Sequence, residues 1–181
     1  MRVLVTGEKG FIAQNLPKSF EKLGSSVVNT DSLAGFERIS TGEICVHRNS
    51  SEKWADLFVN ENIDAVIHFA GLKAVNESIL QPLEYWSANV GGTLTLLNAM
   101  VQYNCFQIVF SSSATVYGQP KYLPIDESHR IKAINPYGQT KIIVEEIFSD
   151  FSMETVPTKH GCWFFLHSSI RLIIALYFSF K

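Results

Sequence analysis

The sequence predicts an α/β fold, a doubly wound parallel sheet in a three-layer αβα arrangement. Three observations support this prediction. Short apolar runs alternate with helical segments, the runs end in glycine, aspartate or serine, and the helical segments are long enough to cross back over a sheet. In such sheets the ligand lies outside the carboxyl ends of the strands, so the polar residues that end these runs form the candidate site.

The elements alternate along the chain from its first residues. Short runs rich in Val, Ile or Phe have the composition of buried strands, and longer segments with apolar residues at three- and four-residue spacing predict helices. Asn135 and Pro136 open the last helix, because asparagine is a good N-cap and proline fits the first helical position. The predicted strands are residues 3–5, 27–28, 43–46, 65–69 and 108–110, and the predicted helices are residues 11–23, 54–61, 83–103 and 136–151.

Residues 1–151 are predicted to form one nucleotide-binding domain, and residues 152–181 a divergent apolar tail. The stretch from Gly161 to Phe180 approaches the length of a membrane span, but Arg171 lies in its middle, where a charge is costly in a bilayer. We therefore expect no membrane anchor. Residues 173–178 are apolar enough to take the place of a sixth strand.

Composition limits the partners and the compartment. The 181-residue chain has a formal net charge of -2, so it has no general attraction to nucleic acid or anionic lipid. Three scattered cysteines, Cys45, Cys105 and Cys162, indicate reduced thiols and a cytoplasmic protein. The N-terminus lacks the pattern of a secretory leader, and we expect no metal site.

Gly7 and Gly10 lie between the first strand and the first helix, as in Rossmann-like nucleotide-binding domains. Glycine there allows a sharp turn and a close approach to a pyrophosphate, toward which the helix start points its N–H groups. The third position of the usual glycine pattern is Ala13. Asp31 ends the second strand 21 residues after Gly10. Its carboxylate suits both ribose hydroxyls and repels a 2′-phosphate, which predicts NAD rather than NADP. An ordinary glycine turn and a surface aspartate are the alternative interpretations.

Tyr137 and Lys141 are four residues apart on the last predicted helix and therefore share a face. A tyrosine is a poor base at neutral pH, but an adjacent ammonium favours its phenolate form. This pair alone is more often a solvated helix face. Ser111, Ser112 and Ser113 end the fifth strand, where hydroxyls can reach the tyrosine, and together with the glycine loop and Asp31 they favour a dehydrogenase-type site.

Three segments of the chain resemble UDP-glucose 4-epimerases, which belong to the extended short-chain dehydrogenase/reductase group. They are Val66–Val75, Phe110–Gly118 and Asn135–Lys141. The resemblance implies NAD-dependent interconversion of UDP-glucose and UDP-galactose, in galactose metabolism, through a transient 4-keto sugar. It implies that Tyr137 is the proton acceptor, that Ser113 supports the proton transfer, and that Lys141 assists Tyr137 and holds the cofactor. It also implies cofactor contacts from Phe11, Ile12, Phe69, Ala70, Gly71 and Lys73.

The chain departs from this family in several places. The region 46–49 lacks the aspartate that usually lies against the adenine, and Ala88 stands where a cofactor-facing asparagine is usual, although Asn89 follows it. The resemblance ends near residue 151, so the sequence predicts that the substrate domain is missing. The family forms homodimers through helices equivalent to 83–103 and 137–151. Two alternatives stay open: a non-catalytic NAD-binding or dimerising fragment, and another extended dehydrogenase acting on nucleotide sugars, such as a dehydratase.

Overall fold

The structure is a computed structural model. It describes residues 1–7, 10, 12–15, 20, 22, 24–31, 44–45, 51–126, 128–154 and 163–166. For residues 15, 31, 44–45, 151–154 and 163–166 it describes the backbone alone.

One parallel sheet of six strands forms the centre of the described fold. The strands are β1 (Arg2–Thr6), β2 (Ser26–Asp31), β3 (Ile44–Cys45), β4 (Ala65–His68), β5 (Gln107–Ser111) and β6 (Trp163–Leu166). Their order across the sheet is β3-β2-β1-β4-β5-β6. The strand order therefore reverses between β1 and β4, and a crevice opens at the carboxyl ends of these two strands.

Helices cover the sheet and connect its strands. They are α1 (Ser51–Glu61), α2 (Val75–Leu80), α3 (Pro82–Tyr85), α4 (Gly92–Gln102) and α5 (Pro136–Glu154). A π turn (Trp86–Gly91) joins α3 to α4, and a 3-10 turn (Ala114–Tyr117) follows β5. Within the described ranges, no helix combines the length and apolar character needed to cross a bilayer.

The two faces of the sheet bury separate apolar clusters. Leu4 faces a cluster formed with α1, α4 and α5, whereas Val3 and Val5 face a second cluster that includes Ala13 and Phe20. This division follows from the pleat, which turns successive side chains of β1 to opposite faces. Both faces of the central strand are covered, as a doubly wound sheet requires.

The predicted fold is confirmed, and two local features differ from the expectation. The predicted helix 83–103 is interrupted by the π turn, and a short helix, α2, precedes it. The sixth strand is Trp163–Leu166, while the segment 173–178 lies outside the described residues. Most of the predicted helix 11–23 also lies outside them. The division of the chain at residue 151 stays a prediction.

Candidate functional site

Gly7 brings the end of β1 into close contact with the chain that follows β4. It has a φ of +78°, and an ideal Cβ placed on it would lie 2.6 Å from the amide nitrogen of Ala70. The same strand end is held by Phe69, whose N–H donates to the Thr6 carbonyl over 3.1 Å. Only glycine combines this backbone conformation with so close an approach. The turn then continues to Gly10, whose N–H donates to the Gly7 carbonyl over 2.9 Å.

The side chain of Asn89 fixes the loop that follows β4. Its Oδ1 accepts from the Leu72 N–H over 2.8 Å, and its Nδ2 donates to the Leu72 carbonyl over 3.0 Å. The second Nδ2 proton reaches Thr140 Oγ1 on α5, also over 3.0 Å. Asn89 lies in the π turn, and such turns often aim a residue at a functional site. The amide thus ties residues 70–72 to the helix that carries Tyr137 and Lys141.

His68 is buried beneath this loop and joins three elements. Thr93 Oγ1 donates to the Asn89 carbonyl, so it accepts from His68 Nε2–H over 3.0 Å. Nδ1 is then an acceptor, and Thr6 Oγ1 donates to it over 2.7 Å. Burial, together with the charge of Lys141, lowers the pKa of His68 to about 3. The imidazole is therefore neutral and serves as a fixed link between β1, β4 and α4.

The three serines at the end of β5 have three different environments. The Ser111 carbonyl accepts from Lys141 Nζ over 2.9 Å. The Ser112 hydroxyl is buried and donates to Glu145 Oε1. Ser113 caps the 3-10 turn, since its Oγ accepts from Thr115 N–H over 3.3 Å and from Thr115 Oγ1 over 2.9 Å. The Ser113 hydroxyl proton is therefore directed to an acceptor other than Thr115.

Helix α5 begins where the sequence predicts and places Tyr137 and Lys141 on the sheet. Asn135 Oδ1 accepts from the Gly138 N–H over 2.7 Å and caps the helix start. A Cβ on Gly138 would lie 2.9 Å from the Thr115 carbonyl. The first turn of α5 therefore packs directly on the 3-10 turn that Ser113 caps. This contact sets the start of α5 against the turn that follows β5.

Lys141 is buried between β5 and α5. Its Nζ lies 4.5 Å from the centre of the Phe110 ring and 5.9 Å from the centre of the Tyr137 ring. Burial lowers the pKa of Lys141 to about 8, while the charge of Glu145 acts in the opposite direction. The side chain is thus an ammonium at neutral pH and becomes neutral in moderate alkali.

Tyr137 is 8% exposed and rests against Tyr85, with ring centres 6.4 Å apart at an angle of 77°. The Tyr85 hydroxyl bonds the Ala74 carbonyl and Glu77 Oε2, each over 2.8 Å. Burial, followed by the hydrogen bond and charge of Glu77, raises the pKa of Tyr85 to about 12. Tyr85 is therefore a fixed neutral support. Among the described residues, none hydrogen-bonds the Tyr137 hydroxyl.

Gly71 brings the loop after β4 close to Asn89 and Lys141. A Cβ on Gly71 would lie 3.0 Å from Asn89 Oδ1 and 3.8 Å from Lys141 Nζ. Glycine allows this approach because any larger residue would press on the Asn89 amide. Gly7, at the end of the neighbouring strand β1, is a second glycine on the same side of the sheet.

The structure brings part of the predicted site together. Gly7, Phe69, Ala70, Gly71 and Lys141 meet through the contacts described above, and Tyr137 lies beside Lys141 on the same helix. Ile12 and Lys73 are exposed at the same edge of the sheet. Asp31 is the last residue of β2, but its side chain lies outside the described residues, as does all of Phe11.

Sequence reasoning missed His68, Asn89 and Glu145 as parts of the site. Each has a signal in the sequence. His68 is the one titratable residue in an apolar run that predicts a buried strand, and a buried imidazole needs partners on both nitrogens. Glu145 follows Lys141 by four residues, the spacing at which helix side chains interact. Asn89 lies within an apolar helical stretch, where an amide also requires buried partners.

Comparison with known proteins identifies the family of the chain. The sequence model of the "NAD dependent epimerase/dehydratase family" matches residues 3–159. The chain is 45% identical over 165 residues to UDP-glucose 4-epimerase 2 of Arabidopsis thaliana, an alignment that covers 82% of this chain and 46% of that protein. The chain spans about half the length of the curated relatives it matches.

Solved structures show the same fold. A UDP-glucose 4-epimerase from Bifidobacterium longum in complex with NAD+ and UDP has 36% identity and a TM-score of 0.80, covering 92% of this chain and 52% of that one. A UDP-glucose-4-epimerase from Stenotrophomonas maltophila with bound NAD and formylated UDP-arabinopyranose has 34% identity, a TM-score of 0.80 and the same coverage.

Proposed function

Because the chain belongs to the NAD dependent epimerase/dehydratase family, we propose that it binds NAD across the carboxyl ends of β1 and β4. We further propose that it carries the catalytic residues of a UDP-hexose 4-epimerase, interconverting UDP-glucose and UDP-galactose. The observation that supports this most strongly is the placement of Lys141. Its Nζ donates to the Ser111 carbonyl at the end of β5, and it shares a face of α5 with Tyr137.

Residues at the glycine edges of the sheet are proposed to hold the cofactor. Gly7 and Gly10 leave room for the pyrophosphate, and Asp31 at the end of β2 accepts hydrogen bonds from the adenosine ribose. Lys141 donates to the hydroxyls of the nicotinamide ribose beside Gly71. Bound NAD supplies the hydride acceptor for the sugar C4 position. The remaining cofactor contacts are assigned to Phe11, Ile12, Phe69, Ala70, Lys73 and Tyr137.

Tyr137 is proposed to accept the proton of the sugar 4-hydroxyl as that carbon is oxidised. Its hydroxyl has no partner among the described residues, so it is available to the sugar. Ser113 is proposed to support this proton transfer with its own hydroxyl proton, which Thr115 leaves free because Thr115 donates to the Ser113 oxygen. The ammonium of Lys141 stabilises the phenolate electrostatically. Tyr137 would return the proton to the C4 oxygen of the transient 4-keto sugar, and the reduced cofactor, when bound, would supply hydride to the opposite face of C4, which completes epimerisation.

The assembly and compartment are part of the same proposal. We expect a cytoplasmic homodimer that associates through the face formed by α3, α4 and α5. Leu83 at 81% exposure and Leu94 at 43% exposure are available on this side of the fold. Size-exclusion chromatography with light scattering measures this directly, and a strictly monomeric species argues against it.

A second candidate function is non-catalytic. The exposed Leu83 and Leu94 favour association with another subunit, and such association does not require turnover. In this candidate function the chain binds NAD, or pairs with an intact epimerase subunit, without turning over UDP-sugars.

Two measurements separate these functions. Mass spectrometry of the purified chain under native conditions shows whether NAD is bound. Incubation with UDP-galactose, followed by chromatography of the nucleotide sugars, shows whether UDP-glucose forms. Tyr137→Phe should abolish turnover and retain the fold, whereas Tyr103→Phe, the same change at the far end of α4, should leave both intact. Bound NAD without product favours the second candidate, and product formation by Tyr137→Phe argues against the proposed mechanism.

A further inference from the structure

Glu145 lies one turn beyond Lys141 on α5 and is held by the end of β5. The buried Ser112 hydroxyl donates to Glu145 Oε1. A hydroxyl bonded to a carboxylate oxygen fixes the position of that carboxylate. Ser112 therefore selects the orientation of the Glu145 side chain.

The spacing along α5 places this carboxylate beside the catalytic pair. Tyr137, Lys141 and Glu145 follow one another at intervals of four residues, so they lie along one side of the helix. Lys141 extends toward the Ser111 carbonyl, and Ser112 is the next residue of the same strand end. The end of β5 thus contacts both side chains, Lys141 through the Ser111 carbonyl and Glu145 through the Ser112 hydroxyl.

We infer that Glu145 is a positioning residue that keeps Lys141 in its ammonium form and directed at Ser111, and that Ser112 holds Glu145 in this role. The inference rests on the proposed function only in assigning a purpose to the Lys141 charge. The electrostatic coupling itself is a property of α5 and β5.

The charges around Lys141 support this role. Burial is the main influence on Lys141 and lowers its pKa to about 8, and Glu145 opposes that change. The other titratable groups that face Lys141 are His68 from β4, which is neutral, and Tyr137 from α5, which is backed by Tyr85. Within the described part of the chain, Glu145 is thus the anion that favours the ammonium. Without it, burial would act on the lysine unopposed.

The test is an NMR titration of the Lys141 side chain in protein labelled with carbon-13 at lysine Cε, with Lys141→Arg used to identify its signal. Glu145→Gln is expected to lower the pKa of Lys141 by about one unit, since an opposite charge one turn away is removed. At pH 8 the ammonium fraction then falls from about one half to about one tenth. Glu146→Gln is the matched control, because this neighbouring carboxylate is exposed and points away, and it should leave the titration unchanged.

Two further variants keep the inference testable if Glu145→Gln fails to fold. Glu145→Asp retains the charge and should restore most of the Lys141 titration, and Ser112→Ala should shift it in the same direction as Glu145→Gln but less. Equal titrations in Glu145→Gln and Glu146→Gln, or in Ser112→Ala and the unsubstituted protein, would overturn the inference. The titration needs neither cofactor nor turnover, so absence of epimerase activity defeats the proposed function and leaves this result independent.

Discussion

Gly7→Ala is expected to destabilise the protein by about 3 kcal/mol and to open the proposed cofactor site. The new Cβ would lie 2.6 Å from the Ala70 nitrogen and 2.8 Å from the Phe69 carbonyl carbon, both backbone atoms that cannot rotate away. Normal contact begins near 3.4 Å, so the chain after β4 must retreat by about 0.8 Å. That movement strains two hydrogen bonds to Thr6, one from Phe69 N–H over 3.1 Å and one from Ala70 N–H over 3.3 Å.

The expected loss of folding free energy in Gly7→Ala has two parts. A non-glycine residue at a φ of +78° costs roughly 1–2 kcal/mol. Weakening two hydrogen bonds adds roughly 1–3 kcal/mol.

Gly24→Ala is the matched control, because Gly24 has a φ of +71° but an added Cβ meets nothing within 4 Å. It should show the first part alone, about 1 kcal/mol. Gly91→Ala, in the π turn and also free of contacts, should be neutral or stabilise by about 0.5–1 kcal/mol.

The assay is urea unfolding followed by circular dichroism and tryptophan fluorescence, with NAD binding measured by calorimetry on the same samples. Gly7→Ala should lose at least about 1 kcal/mol more than Gly24→Ala and should bind NAD more weakly, while Gly24→Ala retains binding. Equal destabilisation by the two substitutions would refute the close approach of β1 to the chain after β4. Undiminished NAD affinity in Gly7→Ala would refute the placement of the cofactor there.

Three other substitutions test the buried polar groups. The folded chain takes up a proton at His68 only near pH 3, whereas the unfolded chain does so near pH 6.5, so stability is retained above pH 6.5 and falls as the pH drops. His68→Gln should therefore remove a dependence of about 1.4 kcal/mol per pH unit from the free energy of unfolding between these two values. An unchanged pH dependence would contradict a neutral buried imidazole. Lys141→Met should remove a rise in stability between about pH 8 and pH 10.5, because in that window the unfolded lysine binds a proton that the folded lysine has lost. An unchanged pH dependence of the free energy of unfolding in urea titrations would refute this reasoning. Asn89→Ala should cost about 2–4 kcal/mol by the same titration, since the buried Leu72 and Thr140 groups lose their partner, and a cost below about 1 kcal/mol would contradict the hydrogen-bonded clamp.

The sheet and most of the polar strand ends could be predicted from the sequence because they depend on local chemistry. A buried parallel strand needs a short β-branched run, and the turn after it needs glycine or small polar residues. Asn135 and Pro136 likewise specify the start of α5 by themselves. The glycine turn at Gly7 follows from such local signals, whereas the roles of Gly71 and the Tyr137–Lys141 pair are predicted from the resemblance to a family.

Other features depend on contacts between distant segments. The π turn interrupts a stretch whose apolar spacing reads as one continuous helix, and it allows Asn89 to reach both Leu72 and Thr140, which are distant in sequence. Helix α2 follows a loop-like stretch and is supported by contacts of Ser78 and Glu77 that no local pattern reveals. Several apolar runs in residues 161–180 have the composition of a strand. Pairing with β5 identifies Trp163–Leu166 as β6, and this pairing is not visible in the local sequence.

The order of the sheet also has a consequence for biosynthesis. β1 is made first but lies between β2 and β4, and Val3 pairs with Ala65, about 60 residues later in the chain. During translation, the backbone groups on the edge of β1 that pairs with β4 therefore lack hydrogen-bond partners until β4 has been synthesised. Parallel pairings of such long separation form slowly and leave nascent chains prone to aggregate.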